Sequence, residues 1–284
     1  MDPIFPDPDA PGLTRALSGR DHTGAEVEAL VVEERPLTVW LNRREIVTVM
    51  TIGDHPRWLA LGFLLNQGMV SEDDVVTGID HDAELETVVV RTARETDHEA
   101  KLAKKTRTSG CAVGTVFGDM MEGLEGLRLP DATLRTSDLY ALAKAINTMP
   151  SLYLAAGAIH GTVLCRGAEP LVYMEDVGRH NAVDKVAGWM REAGVDPAEH
   201  VLYTTGRLTS EMVLKAARMG VPVLASRSGF TAWGVDLAQR FDMTLIGRLR
   251  GRRFVCLSGE ARLVRDADPA GEGEDRRHLR KGAA

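Results

Sequence analysis

Cys111 is the residue whose surroundings best suit a reactive thiol. It lies in the segment 108–114, where two glycines flank the cysteine and no apolar period is present, a pattern that predicts a loop. Positive charge nearby favours the thiolate, which is the reactive form of cysteine. Four cations precede the loop: Lys101, Lys104, Lys105 and Arg107. From spacing and setting alone, a functional role and a structural role for Cys111 both stay open.

The other two cysteines occupy a different kind of sequence. Cys165 and Cys256 lie inside apolar, strand-like runs, where a cysteine usually behaves as a small buried hydrophobe. Three cysteines also make no disulfide framework, so we expect a reducing compartment.

Arginines follow three predicted strands of the second half, 201–205, 221–225 and 243–247. Two predicted helices separate these strands, so the strands should run parallel and their carboxyl ends should meet at one sheet edge. Arginine binds phosphate through two parallel hydrogen bonds, and this edge is where open α/β sheets bind ligands. The pattern predicts a cationic crevice for a large phosphate-bearing ligand; the alternative is a set of solvated strand ends. The predicted binding residues are Arg207, Ser226, Arg227, Arg248, Leu249, Arg250, Gly251, Arg252 and Arg253.

The segment 176–185 is the densest polar run in the chain. It follows a predicted strand and opens a predicted helix, so His180 could bind the ligand or move a proton. A capped helix with internal salt bridges explains the same residues equally well. The sequence contains no P-loop, no dinucleotide-binding glycine motif and no paired cysteines, which makes those nucleotide sites and a metal site improbable.

The bulk composition excludes several classes of function. The 284-residue chain carries a formal net charge of −7, whereas a general nucleic-acid-binding protein has a basic excess. The N-terminus lacks the features of a signal peptide, and the apolar runs are too short to span a bilayer. We therefore expect a cytoplasmic protein with neither a membrane nor a nucleic-acid partner.

Periodicity divides the chain into four predicted parts. Residues 1–25 are proline-rich and predict a flexible leader, and residues 26–136 predict a β-rich portion that includes the Cys111 loop. Residues 137–258 predict an α/β domain whose first helix Ser137 caps, and residues 259–284 predict a disordered tail.

Three motifs of the second half resemble those of the FdhD/NarQ family, the formate dehydrogenase accessory sulfurtransferases. The motifs are DVGRHNAVDK at 176–185, TGRLTSEMV at 205–213 with KAAR at 215–218, and PVLASRS at 222–228 with TA at 231–232. They occur in the family's order, and the resemblance extends from about Glu33 to Ser258.

The resemblance implies an α/β, cytidine-deaminase-like three-layer fold with an added β-rich N-terminal portion and no zinc chemistry. It implies a sulfur carrier that takes sulfur from a cysteine desulfurase as a persulfide on Cys111. The sulfur then passes to the molybdenum cofactor, as bis-molybdopterin guanine dinucleotide, for the catalytic subunit of formate dehydrogenase. The family's cofactor-binding stretch falls on 248–253, and the family suggests a homodimer.

The chain departs from the family pattern at two places. Many members carry a second loop cysteine where this chain has Gly114, and acidic residues where Arg57-Trp58 follow Pro56. A local pair of loop thiols is therefore impossible. Two rival hypotheses stay open: a chaperone that delivers the cofactor without moving sulfur and, disfavoured by the absent zinc ligands, a degenerate nucleotide deaminase.

Overall fold

An antiparallel hairpin stands near the start of the chain. The computed structural model describes residues 2–94, 121 and 123–270. Strands β1 (Thr14–Arg20) and β2 (Glu26–Val32) pair with Leu17 opposite Ala29. Ile4 bridges to the main sheet, accepting a hydrogen bond from the Tyr173 backbone N–H at 2.8 Å. The predicted flexible leader, 1–25, is therefore wrong for Ile4 and for Thr14–Arg20. Main-chain hydrogen bonds hold both segments in place although their sequence shows no apolar period.

A four-stranded sheet and one helix form the N-terminal core. Strands β3 (Arg35–Leu41) and β4 (Arg44–Thr51) precede helix α1 (Pro56–Asn66), and strands β5 (Val76–Asp82) and β6 (Thr87–Thr92) follow it. The strand order is β4-β3-β6-β5, in which only β3 and β6 are parallel. Apolar side chains of β3, β4 and β6 pack against α1.

A six-stranded mixed sheet forms the second half. After β7 (Leu134–Arg135) the elements are α2 (Thr136–Thr148), α3 (Leu152–Ala155), β8 (His160–Arg166), β9 (Glu169–Asp176), α4 (Arg179–Ala193), β10 (His200–Thr204), α5 (Ser210–Arg218), β11 (Val223–Ser226), α6 (Ala232–Arg240), β12 (Thr244–Arg250), β13 (Arg253–Ser258) and β14 (Leu263–Val264). The strand order is β13-β12-β11-β10-β8-β9. Strands β10, β11 and β12 are parallel, as the sequence predicts, and the flanking strands run antiparallel to them.

Helices cover both faces of this sheet. Leu164, Leu202 and Leu224 point to the face on which α4, α5 and α6 pack. Their strand neighbours Val163 and Tyr203 point to the opposite face, which α2 covers. This alternation is the period of two expected for strands, and it makes the second half a three-layer α/β arrangement.

The chain after Ser258 returns to cap α2. Strand β14 pairs with β7, and the Asp266 carboxylate accepts hydrogen bonds from the Ser137 backbone N–H at 3.0 Å and from the Ser137 hydroxyl at 2.8 Å. The sequence predicts that the Ser137 side chain caps this helix. In the structure Asp266, 129 residues away, accepts from the free N–H group at the helix start, and Ser137 is one of its donors. The prediction of a disordered tail from residue 259 is wrong for 259–270, and 271–284 lie outside the described residues.

Two glycines let α1 and α4 pack with their backbones in close contact. A Cβ atom on Gly62 would stand 1.7 Å from the Asp184 carbonyl oxygen, and one on Gly188 would stand 2.1 Å from the Trp58 carbonyl oxygen. Helix α4 belongs to the second half and α1 to the first, so this contact joins the two cores. None of the helices in the described part of the chain is long and apolar enough to cross a membrane.

Candidate functional site

A polar cavity of about 430 Å³ opens at the carboxyl ends of β10 and β11. This is the edge at which the parallel strands predict a ligand site. The polar groups of its wall come from the turns after these strands, from the start of β8 and from the end of β12. They belong to His160, Thr205, Arg227, Ser228 and Arg250, and Tyr153 supplies an aromatic wall.

Hydrogen bonds between the turns after β10 and β11 fix this edge. The Ser226 hydroxyl donates to the Gly206 carbonyl at 2.6 Å and accepts from the Ser228 N–H at 2.9 Å. The Ser228 hydroxyl donates to the Thr205 carbonyl at 2.9 Å. Ser226 is fully buried, so this predicted binding residue shapes the edge from beneath.

Arginines supply positive charge at the cavity. Arg227 and Arg250 line it, while Arg207 is exposed just beyond β10. Within the described residues no carboxylate lies within 4 Å of any of the three, whereas Arg262 bonds both Asp131 and Asp242. Because their charge is not neutralised by an ion pair, these guanidinium groups are suited to an anionic ligand.

The run 248–253 divides between several environments. Strand β12 continues past Gly247 to Arg250 through a bulge, and the chain turns at Gly251, which has a φ of 55°. Leu249 is buried in the core beneath α2. The prediction that the strand ends at Gly247 is therefore wrong. The exposed Arg248 and Arg250 stand on either side of the buried Leu249, as the alternation of a strand requires.

The four arginines of this run accordingly do different things. The Arg248 N–H donates to the Ser228 carbonyl at 2.7 Å, which ties β12 to the turn after β11. Arg250 lines the cavity, and Arg253 pairs with it across the hairpin. Arg252 packs over the Tyr140 ring at 5.7 Å and donates to the Asp268 carbonyl at 2.7 Å.

His180 lies in a buried polar cluster between α4 and α5. Its Nε2 atom is 3.1 Å from the Glu211 carboxylate, and burial lowers the pKa of the imidazole. Lys215 donates to both oxygens of Asp184 at 2.6 Å, and Asn66 donates to the same carboxylate at 2.7 Å. His180 is not among the cavity-lining residues, so the geometry favours the structural alternative for it.

A buried lysine joins the first half of the chain to this edge. Lys185 is fully buried; its ammonium contacts Asp54 and lies 2.6 Å from Asp176, and it donates to the Glu175 carbonyl at 2.8 Å. Burial opposes its charge, but the two carboxylates prevail and raise the pKa of Lys185. The sequence gives no signal for this pairing, because Asp54 lies 131 residues away.

His160 is a cavity residue that the sequence prediction omits from the binding set. Its Nδ1 atom lies 3.2 Å from the Thr205 hydroxyl. Burial, together with the charges of Arg179 and Arg207, lowers the pKa of His160, so the imidazole is neutral near pH 7. Its position at the start of β8 becomes informative only once β8 is known to lie beside β10.

The cysteines differ in what the structure says of them. Cys111, the predicted sulfur carrier, lies outside the described residues, as do the four cations before it and Gly114. Burial raises the pKa of Cys165, which is inaccessible in the core, and also that of the half-buried Cys256. Neither of these two thiols is suited to form a thiolate.

Comparison with known proteins gives consistent results. A model of the FdhD/NarQ family matches residues 32–264. A protein named "Sulfur carrier protein FdhD" from Geobacillus kaustophilus is 31% identical over 243 residues, 84% of this chain and 92% of the relative. One of the same name from Wolinella succinogenes is 32% identical over 236 residues, 81% of each chain.

A solved structure is also similar. The crystal structure of a protein described as a formate dehydrogenase accessory protein, from Desulfotalea psychrophila, superposes with a TM-score of 0.74 at 27% sequence identity. The match covers 88% of this chain and 98% of that chain.

Proposed function

We propose, from the premise that this chain belongs to the FdhD/NarQ family, that it is a sulfur carrier acting in the maturation of formate dehydrogenase. Its relatives carry that name, and the solved neighbour is described as an accessory protein of that enzyme. The observation that carries the proposal is the cavity at the sheet edge, with Arg227 and Arg250 in its wall and no carboxylate beside them among the described residues.

The cargo we propose for this cavity is the molybdenum cofactor in its bis-molybdopterin guanine dinucleotide form. Such a ligand carries several phosphates, whose oxygens bind guanidinium groups through paired hydrogen bonds. Arg227 and Arg250 would hold phosphate oxygens, and Arg207 would approach from the rim. Arg252 belongs to the family's cofactor stretch, but its contacts to Tyr140 and Asp268 direct it away from the cavity.

The sulfur-carrying residue in this proposal is Cys111. Its thiolate attacks the terminal sulfur of a persulfide on the cysteine desulfurase; a new S–S bond forms, the old one breaks, and the desulfurase thiolate leaves. No net oxidation occurs in this exchange. The raised pKa values of Cys165 and Cys256 support the assignment, because they make both thiols poor nucleophiles.

The proposal also covers the fold family of the second half and the assembly in which the protein acts. We assign the second half to the cytidine-deaminase-like folds; its strand order and its three layers support that assignment. We also propose a cytoplasmic homodimer that acts with a cysteine desulfurase and the catalytic subunit of formate dehydrogenase.

The test is to incubate the full chain with a cysteine desulfurase and ³⁵S-labelled cysteine, and to locate the transferred sulfur by mass spectrometry of the labelled peptide. We expect label on Cys111 in the wild type and in Cys256→Ala, the control, and none in Cys111→Ala. A wild-type chain that takes up no sulfur, or takes it on Cys256, contradicts the proposal.

A chaperone that delivers the cofactor without moving sulfur is the second candidate. Gly114 favours it, because this chain lacks the second loop cysteine of many relatives. Cells that contain only Cys111→Ala separate the two: a sulfur carrier leaves formate dehydrogenase inactive, whereas a chaperone restores its activity.

A further inference from the structure

The guanidinium of Arg227 rests on an aromatic ring. Its central carbon lies 5.1 Å from the centroid of the Tyr153 ring, and both side chains line the cavity. An aromatic face attracts a cation without neutralising it, whereas a carboxylate would cancel the charge that an anionic ligand needs. Arg227 is therefore held in place while its N–H edge stays available.

The position of Tyr153 is set in turn by a buried carboxylate. Tyr153 belongs to the short helix α3, whose first two N–H groups donate to Glu175: Leu152 at 2.7 Å and Tyr153 at 2.9 Å. Only 1% of Glu175 is exposed, and its own carbonyl accepts from Lys185 at 2.8 Å. The end of β9 therefore fixes both the start of α3 and the ring that it carries.

We infer that Tyr153 and Glu175 are positioning residues for Arg227, the anion-binding arginine of the cavity; this rests on the proposed function. Glu175 holds the start of α3, α3 presents the Tyr153 ring, and the ring orients the guanidinium toward the ligand. A bidentate contact to phosphate needs the guanidinium plane in one orientation, so the loss of the ring should cost affinity even though the ring touches no phosphate.

The experiment measures GDP binding to the full chain by calorimetry. We expect Tyr153→Leu, which keeps an apolar side chain but removes the ring, to weaken GDP binding about threefold to tenfold. Tyr153→Phe keeps the ring and should bind GDP as the wild type does. Glu175→Gln, which leaves one of the two N–H groups facing an amide NH₂, should weaken GDP binding to a similar extent. Melting temperatures establish that each variant is folded.

A double-mutant cycle distinguishes positioning from a general structural role. In an Arg227→Gln background, Tyr153→Leu should have no further effect on GDP binding, because the arginine it orients is gone. The affinity for guanosine, which has no phosphate, should be the same in Tyr153→Leu as in the wild type; general damage to the cavity would lower it.

The outcomes separate this inference from the proposed function. If Arg227→Gln binds GDP as tightly as the wild type, the anion site itself is wrong. If Arg227→Gln weakens binding but Tyr153→Leu does not, or if Tyr153→Leu costs the same in both backgrounds, the anion site stands and the positioning role is overturned.

Discussion

Lys185 links the two halves of this molecule through a single buried side chain. Its three donors have three acceptors: Asp54 from the loop before α1, Asp176, and the Glu175 carbonyl at the end of β9. Asp176 also accepts from the Thr51 hydroxyl and the Asn181 amide. The conspicuous polar run of the sequence is thus largely an internal network, with Val177 reaching the cavity wall.

We predict that Lys185→Met destabilises the protein by about 3–5 kcal/mol, because it leaves the buried carboxylate of Asp176 and the partly exposed one of Asp54 without their counter-charge. Urea unfolding at pH 7 measures the loss. Adding Asp176→Asn should restore part of it, since the fully buried carboxylate is then neutral. A loss below about 1 kcal/mol in Lys185→Met would mean that the network contributes little to stability.

At the scale of elements, the packing of α1 on α4 depends on residues without side chains. Gly62 and Gly188 lie where a Cβ atom would overlap backbone atoms of the facing helix, which cannot move aside as a flexible side chain could. Both glycines lie inside helices among residues that are common in helices, so the sequence alone does not indicate that a close helix contact requires them.

We predict that Gly188→Ala destabilises the protein by about 1–3 kcal/mol or more, because the helices must separate to admit the methyl group. Gly19→Ala is the matched control, since a Cβ there meets nothing within 4 Å. Thermal unfolding of both variants measures the difference. Equal melting temperatures for the two would contradict the close backbone contact between α1 and α4.

Across the whole molecule, the sequence predicts local elements well but does not predict contacts between residues that are distant in the chain. The parallel strands β10, β11 and β12 and the helices between them follow from apolar periodicity and short connections, and so does the position of a cavity at their carboxyl ends. Sequence patterns could not reveal contacts made across long separations. Asp266 capping α2, Asp54 reaching Lys185 and Tyr153 lying beneath Arg227 depend on the folded arrangement.

The cavity is locally cationic, although the molecule as a whole is negatively charged. The chain carries a net charge of −7, so the charge of the whole molecule does not attract an anion, and arginines at the sheet edge must hold it.

We predict that Arg227→Gln combined with Arg250→Gln weakens GDP binding about tenfold or more, since each removes a charged hydrogen bond. Arg166→Gln is the control, because Arg166 is exposed at the opposite edge, paired in register with His200 at the start of β10. Wild-type affinity should also fall as salt rises from 50 to 500 mM, by about threefold or more, through screening of these arginines. If Arg166→Gln weakens GDP binding as much as either cavity substitution alone, net charge governs binding and the local site is wrong.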